Sequence, residues 1–432
     1  MFNNQEHFSL NLNVRGLKKS ATIAINDLSN DLITRGKTVF RLGLGQSPFP
    51  VPAVVADSLR QNAHQKDYLP VQGLRELREA VALFHNKNDS TQYHPEGILI
   101  GPGSKELMFL LQISYYGDLV VPTPCWVSYS PQAQIIGRRV VYLSTTYENE
   151  WRLQPEELRK LCEEDPGRPR IVILNYPGNP EGGTYSTDTL KELADIAREF
   201  DLILLSDEIY GKLHHEGKHI SIARYYPEGT IISSGLSKWC GAGGWRLGTF
   251  AFPQSLVGLQ EAMASVASET FTSTSAPIQY AAIRAFKGGI FLEQYLAHSR
   301  RILALLGNWC TRKLEETGAK VVKPKGAFYL FPDFSPIADK LKSNGITTST
   351  ELCRKALEEI GVAFLPGKEF GRPDSELTAR LAYVDFDGAR ALAGSEQVPL
   401  DKELDLDFLE TYCYRTKKAF DVLCDWIGSM KE

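Results

Sequence analysis

The sequence has no Cys-x-x-Cys pair although it holds seven cysteines. An odd, scattered set of this kind builds neither a disulfide framework nor a zinc ribbon, and Cys125 and Cys240 read as small packing residues. Charge of one sign is also lacking. The 48 lysines and arginines stand against 52 aspartates and glutamates, a net charge of −4, which gives no electrostatic case for nucleic acid. The opening Met1-Phe2-Asn3-Asn4-Gln5-Glu6-His7 is polar, so neither a secretory signal nor a membrane anchor is expected, and a cytoplasmic location is. No G-x-G-x-x-G follows a strand pattern, and Gly36-Lys37-Thr38 is half a P-loop with Asp31 where its first glycine belongs. A nucleotide-binding reading therefore fails. His215 and His219 stand at helical spacing, but Gly217 interrupts them and no carboxylate ligand is evident nearby; no metal site is expected.

What remains is an ordinary globular composition, 43% hydrophobic and 23% charged over 432 residues. Single cores seldom grow past ~250–300 residues, so two domains are expected. The most unusual stretch is 233–248, Ser-Ser-Gly-Leu-Ser-Lys-Trp-Cys-Gly-Ala-Gly-Gly-Trp-Arg-Leu-Gly. It places Lys238 and Arg246 among glycines and serines, directly after the apolar run Thr230-Ile231-Ile232. A lysine at the carboxyl end of a strand lies where open α/β sheets bind ligands, and partial desolvation there makes its amine a nucleophile toward a carbonyl. The arginine's planar fork suits a phosphate or carboxylate.

The periodicity predicts an amphipathic helix over 20–35, a short strand from Phe40 running into the turn at Gly45, and two helices between Pro52 and Asn86 that flank a Pro/Gly turn carrying Tyr68. Residues 97–115 read as strand, glycine turn and helix. These glycines either tighten a strand-to-helix turn or leave the free N–H groups of that helix start as an anion site. Strands follow at 118–122 and 139–143, with Trp126 on the loop between them. The runs 171–174 and 202–205 are continuously apolar, as strands buried on both faces are. The helix between them is expected to start near Thr189, with Glu192 completing a capping box. With strands around Ile231 and at 247–252, these successive β-α-β units predict a mainly parallel sheet with helices on both faces. Asn179, Asp207, Tyr210 and Lys238 then fall at or just past the carboxyl ends of consecutive strands and face one crevice. Beyond Gly288 the pattern becomes α+β: a long helix over 291–314, a strand at 327–331, a helix over 349–360, a strand at 378–384 and a closing helix over 405–427. Arg380 lies inside the otherwise apolar strand, where an unpaired charge is costly; its partner must be a buried carboxylate of the protein or of a substrate.

With Asn179-Pro180, Asp207-x-x-Tyr210, Ser237-Lys238 and Gly244-Trp245-Arg246-x-Gly248 in this order, the chain resembles the class I/II aminotransferases, fold-type I enzymes that use pyridoxal 5′-phosphate (PLP). The likeness runs from Ser20-Ala21-Thr22 to Arg380. It implies an α/β fold: a large domain over 51–290 with a doubly wound, mainly parallel sheet, and a smaller α+β domain built from 1–50 and 291–432. It implies that Lys238 holds PLP as a Schiff base and shuttles a proton, that Asp207 keeps the pyridine nitrogen protonated, and that Asn179 and Tyr210 bond the ring's O3′. Trp126 matches the ring-stacking residue. Gly103, Ser104, Lys105, Ser237 and Arg246 would hold the phosphate, joined by Tyr68 from a neighbouring subunit, which implies a homodimer with shared sites. Arg380, Asn179 and the backbone at Gly45 would take the substrate α-carboxylate, and Ser20 and Thr22 match residues at the substrate entrance.

The implied reaction moves the amino group of an amino acid to a 2-oxo acid. A β-lyase, a decarboxylase or a cyclopropane-forming synthase could use the same residues, and a PLP-binding regulator would need a DNA-binding segment for which residues 1–19 leave no room. Two departures stand out: Glu181 in the family's Asn-Pro-Thr-Gly, and Gly235 where many members place a phosphate-binding serine.

Overall fold

The computed structural model describes residues 9–89 and 91–431. The polar opening at 1–7, read as lacking a signal, lies outside the described residues.

Twelve strands follow one another among these residues. They are β1 (Phe40–Arg41), β2 (Ile98–Gly101), β3 (Asp118–Thr123), β4 (Val140–Ser144), β5 (Arg170–Asn175), β6 (Ile203–Asp207), β7 (Thr230–Gly235), β8 (Gly248–Ala251), β9 (Tyr329–Leu330), β10 (Val362–Ala363), β11 (Leu365–Pro366) and β12 (Ala379–Ala382). Seven form the main sheet in the order β2-β8-β7-β6-β5-β3-β4. The apolar runs become its centre because both faces are covered. Ile171 and Ile173 pack with Leu107, Met108 and Met263 on one side, while Val172 and Leu174 pack with Leu190, Leu193 and Leu158 on the other. The alternation of side chains along a strand sends neighbouring residues into two separate cores.

The sheet is mainly parallel, but β8 is not a further β-α-β unit: it pairs antiparallel with both β7 and β2. The connecting segment 236–247 contains only the short turn Gly243–Trp245, and without a crossover helix the chain must return antiparallel. The helix Thr187–Glu199 also starts earlier than the Thr189 pattern indicates, because Ser186 Oγ accepts from the Thr189 N–H at 3.1 Å and caps it. The closing helix is two, Leu406–Tyr412 and Tyr414–Ser429, broken at Cys413; neither proline nor glycine marks that break. By contrast Ser349–Ile360 begins at the Thr348 cap and ends at Gly361, whose φ of 70° suits a residue without a Cβ.

The amino-terminal part rejoins the carboxyl-terminal part through the parallel pair β1–β10. Next to it β11, β12 and β9 form a small antiparallel sheet that carries Arg380. In the main sheet Gly101, Gly248 and Gly235 lie side by side, and a Cβ on Gly248 would collide with the backbone of Gly103 and Ser104. That contact sets the helix Ser104–Ser114 at the sheet's edge. Gly248→Ala is therefore expected to lower the unfolding free energy by about 1–3 kcal/mol, read as a lower urea midpoint; an unchanged midpoint would contradict the contact.

Candidate active site

β5, β6 and β7 end at one edge of the sheet, and each delivers a polar group there. Asn175, the last residue of β5, ties two of these ends together: its Nδ2 donates to the Asp207 carbonyl at 2.9 Å and its Oδ1 accepts from the Asn179 N–H at 2.8 Å. Asp207 closes β6 and is 4% exposed. Its Oδ2 accepts from Tyr129 Oη at 2.6 Å and its Oδ1 from Ser233 Oγ at 3.4 Å. Burial pushes this carboxyl up to about 6, opposed by the bonds from Tyr129, the Ile209 backbone and Ser233. A cation set against Asp207 would restore its charged form.

Lys238 stands three residues beyond β7. Its Nζ donates to the Gly45 carbonyl at 2.6 Å and lies 5.8 Å from the centroid of the Tyr210 ring. Burial first, then the positive charges of Arg380 and Arg246, lower its amine to about 8, against an opposing pull from Asp207. About a tenth of the amine is then neutral at pH 7, far more than for an ordinary lysine. Cys240, two residues on, is inert by contrast: burial drives its thiol up to about 12, and does the same to Cys125.

The reversed strand β8 brings Arg246 to the same edge. This residue adopts φ 54°, with Nη1 donating to the Gly243 carbonyl at 2.9 Å and Nη2 to the Pro102 carbonyl at 3.3 Å. A Cβ on Gly103 would strike that guanidinium, so only glycine lets the helix start and the arginine meet. Lys105 lies 5.1 Å from the centroid of the Trp126 ring, and burial followed by Arg246 lowers its amine. Ser104, Lys105, Ser237 and Arg246 all border one cleft of about 470 Å³, with Asp207 and Lys238 deeper in it.

Arg380 is 1% exposed. Its Nη1 donates to Asn179 Oδ1 at 3.3 Å and its Nη2 to the Gly43 carbonyl. Its guanidinium lies between the rings of Tyr329 and Phe370, 4.9 and 5.0 Å from their centroids. Among the described residues no carboxylate pairs with it, and its Nε has no hydrogen-bond partner. Burial lowers its ordinarily high pKa. Of the two partners foreseen for this arginine, the described residues do not supply the protein carboxylate, and Arg380 borders the cleft.

The residues fit PLP by their chemistry: phosphate donors at one end, a carboxylate for a cationic nitrogen, an amine between them and an aromatic wall at Trp126. Ser20, Thr22, Gly45, Asn179 and Tyr210 border the same cleft. Tyr68 does not: it stands on the surface, 90% exposed. His219 pairs with Glu208 at 2.9 Å and His215 Nε2 lies 3.3 Å from the Ala327 carbonyl, so the helical spacing between them is not realised. Both departures from the family pattern have local causes. A Cβ at Gly235 would sit 2.7 Å from the Leu247 carbonyl oxygen, which leaves no space for serine. Glu181 forms a buried ion pair with Arg152 beneath the Asn179 loop. Sequence reasoning missed Tyr129 and Tyr329. Tyr129 follows Trp126 by three residues and Tyr329 sits in an apolar strand run, and an aromatic in either place reads as packing.

A family model for the class I and II aminotransferases matches residues 37–384. The aspartate aminotransferase of Bacillus subtilis is 33% identical over 381 residues, 86% of this chain and 93% of the relative. The aspartate/prephenate aminotransferase of Thermus thermophilus is 32% identical over 84% of this chain and 91% of its own. Among solved structures, the Thermus thermophilus aspartate aminotransferase with maleate superposes with a TM-score of 0.82 at 28% identity, covering 97% of this chain and 99% of that one. A half-buried lysine, an aspartate and two arginines arranged about one cleft thus meet a match that spans most of the sequence, and the chain belongs to the class I and II aminotransferases, enzymes that use pyridoxal phosphate to pass an amino group from an amino acid to a 2-oxo acid.

Proposed function

We propose that this cleft transfers the amino group of aspartate to a 2-oxo acid, each residue acting where its chemistry fits. The observation that carries the reading is the buried guanidinium of Arg380, with which no carboxylate pairs among the described residues and which borders the cleft that holds Lys238. The choice of aspartate rests on relatives named aspartate aminotransferase.

Bound in the cleft, PLP supplies a carbonyl that takes up an amine and a protonated ring that withdraws electrons. Lys238 Nζ is the amine that would hold the cofactor's carbonyl, and as a free base it would take the proton from the substrate Cα. Asp207 keeps the ring nitrogen protonated, and Tyr129 and Ser233 fix its carboxylate. Asn179 and Tyr210 would bond the cofactor's O3′, and Trp126 would supply the aromatic wall for its ring. Gly103, Ser104, Lys105, Ser237 and Arg246 hold the phosphate. Arg380, with Asn179 and the Gly45 backbone, clamps the α-carboxylate and so aims the Cα–H bond at Lys238.

The exposed Tyr68 reads as a residue offered to the phosphate of a second copy, making a homodimer with shared sites. The chain divides into a large domain over 51–290 and a small one from 1–50 and 291–432, a division supported by the β1–β10 pair. Seven free cysteines and the absence of any helix, among the described residues, long and apolar enough to cross a membrane are consistent with the cytoplasm.

Visible absorption of the PLP-loaded protein should change to that of the amine form of the cofactor on adding aspartate; a band that forms and never converts would favour a lyase or decarboxylase. Lys238→Ala should abolish turnover while retaining some PLP, and normal turnover would sink the assignment. The rate at which apoprotein captures added PLP should rise with pH to a plateau, because only the neutral amine reacts. The midpoint should lie at about 8, and one above 10 would mean that Lys238 is not desolvated. Arg380→Ala should raise KM for every amino acid alike by roughly 100-fold, about 2.7 kcal/mol of lost charge-assisted bonding. An effect confined to one side chain would contradict the α-carboxylate role.

A further inference from the structure

Three groups of the site meet on the side chain of Tyr329. Its hydroxyl is 2.7 Å from that of Tyr210. The guanidinium of Arg380 lies over its ring. The same hydroxyl fills the space that a Cβ on Gly45 would need. Tyr329 is 1% exposed and meets the Tyr210 ring edge-on at 5.5 Å and 84°, with Phe328 against both. Packing leaves the pair little freedom.

Two phenols that share one hydrogen bond use one proton, and the more acidic of them donates it. A cation over an aromatic face draws electron density from the ring and makes its hydroxyl the better donor. Burial raises both hydroxyls, but Arg380 is the leading opposing influence on Tyr329, whereas on Tyr210 it ranks behind two upward influences from Tyr329 itself. The cation over its ring favours Tyr329 as the donor, which leaves Tyr210 its own proton for the cleft. The other titratable groups facing the pair are Asp207 and Lys238 on the Tyr210 side and Tyr383 on the Tyr329 side.

We propose that Tyr329 is a positioning residue that transmits the charge state of Arg380 to the hydroxyl of Tyr210. The inference rests on the reading that Arg380 takes the substrate carboxylate and that Tyr210 faces O3′. A carboxylate on Arg380 neutralises the charge over the Tyr329 ring, so Tyr329 donates less strongly to Tyr210. Tyr210 in turn donates less strongly to O3′, since bonds in a chain polarise one another. Arrival of a carboxylate thereby raises the proton affinity at the reactive end of the cofactor.

The test is a pH titration of the visible absorption of the PLP-loaded enzyme with and without maleate, a dicarboxylate that has no amine to react. In the unaltered protein maleate should raise the midpoint. In Tyr329→Phe the starting midpoint should already be higher by about 0.5 pH unit, a threefold change in the ionisation constant, and the rise with maleate should be less than half as large. An equal rise in both proteins overturns the relay and leaves the carboxylate clamp standing. Placing 3-fluorotyrosine at 329 gives a more acidic hydroxyl in nearly the same shape and should move the midpoint downward. That second variant decides the matter if Tyr329→Phe does not fold, and an unmoved or raised midpoint overturns the proposal. If the unaltered protein shows no titrating band, or maleate does not move it, the reading of the site and the relay fall together.

Discussion

The close approach of β8 to the start of the helix Ser104–Ser114 is the contact on which the site depends. Because β8 runs against both β7 and β2, the residue that enters it, Arg246, lies at the same edge as the lysine that leaves β7. A crossover helix would have lifted the segment 236–247 over one face of the sheet and moved Arg246 away from Lys238. Glycine at 101, 103 and 248 makes the approach physically possible, since a Cβ on any of them would strike a neighbouring group.

Electrostatics then decide what the cleft accepts. Lys105, Lys238, Arg246 and Arg380 border it with Asp207 as the carboxylate facing them. Burial first, and then the charges of one sign held this close, displace both lysines downward. An anionic cofactor and an anionic substrate relieve the repulsion, so binding and the activation of Lys238 are linked through the same charges. The paired phenols of Tyr210 and Tyr329 link the two cations, with Lys238 over the ring of Tyr210 and Arg380 over that of Tyr329.

The local departures from the family pattern leave this arrangement intact. Glu181 finds Arg152, and removing either partner of this buried pair would leave an uncompensated charge. Gly235 is required by the carbonyl it faces across the sheet, while Ser104, Lys105, Ser237 and Arg246 border the cleft with their polar groups.

Much of this could be read from residue order. The apolar runs at 171–174 and 202–205 specify strands buried on both faces, and the polar residues that end them have no other edge to occupy. Position after a strand therefore located Asn179, Asp207, Tyr210 and Lys238, and Arg380 declared itself as a charge inside an apolar strand. Other features depend on contacts between distant segments and leave no mark in the local pattern. The reversal of β8 follows from the pairing of Gly248 with both Gly235 and Gly101. The link from Tyr129 to Asp207 spans 78 residues and that from Tyr210 to Tyr329 spans 119, and in each an aromatic residue that looks like packing is given a hydroxyl partner by the fold. The sequence by itself determined which groups exist and which strand ends carry them, because side-chain chemistry and strand periodicity are local properties. Only the tertiary structure decided which groups touch and which stay unpaired, because hydrogen bonds and desolvation depend on what the folded chain brings alongside.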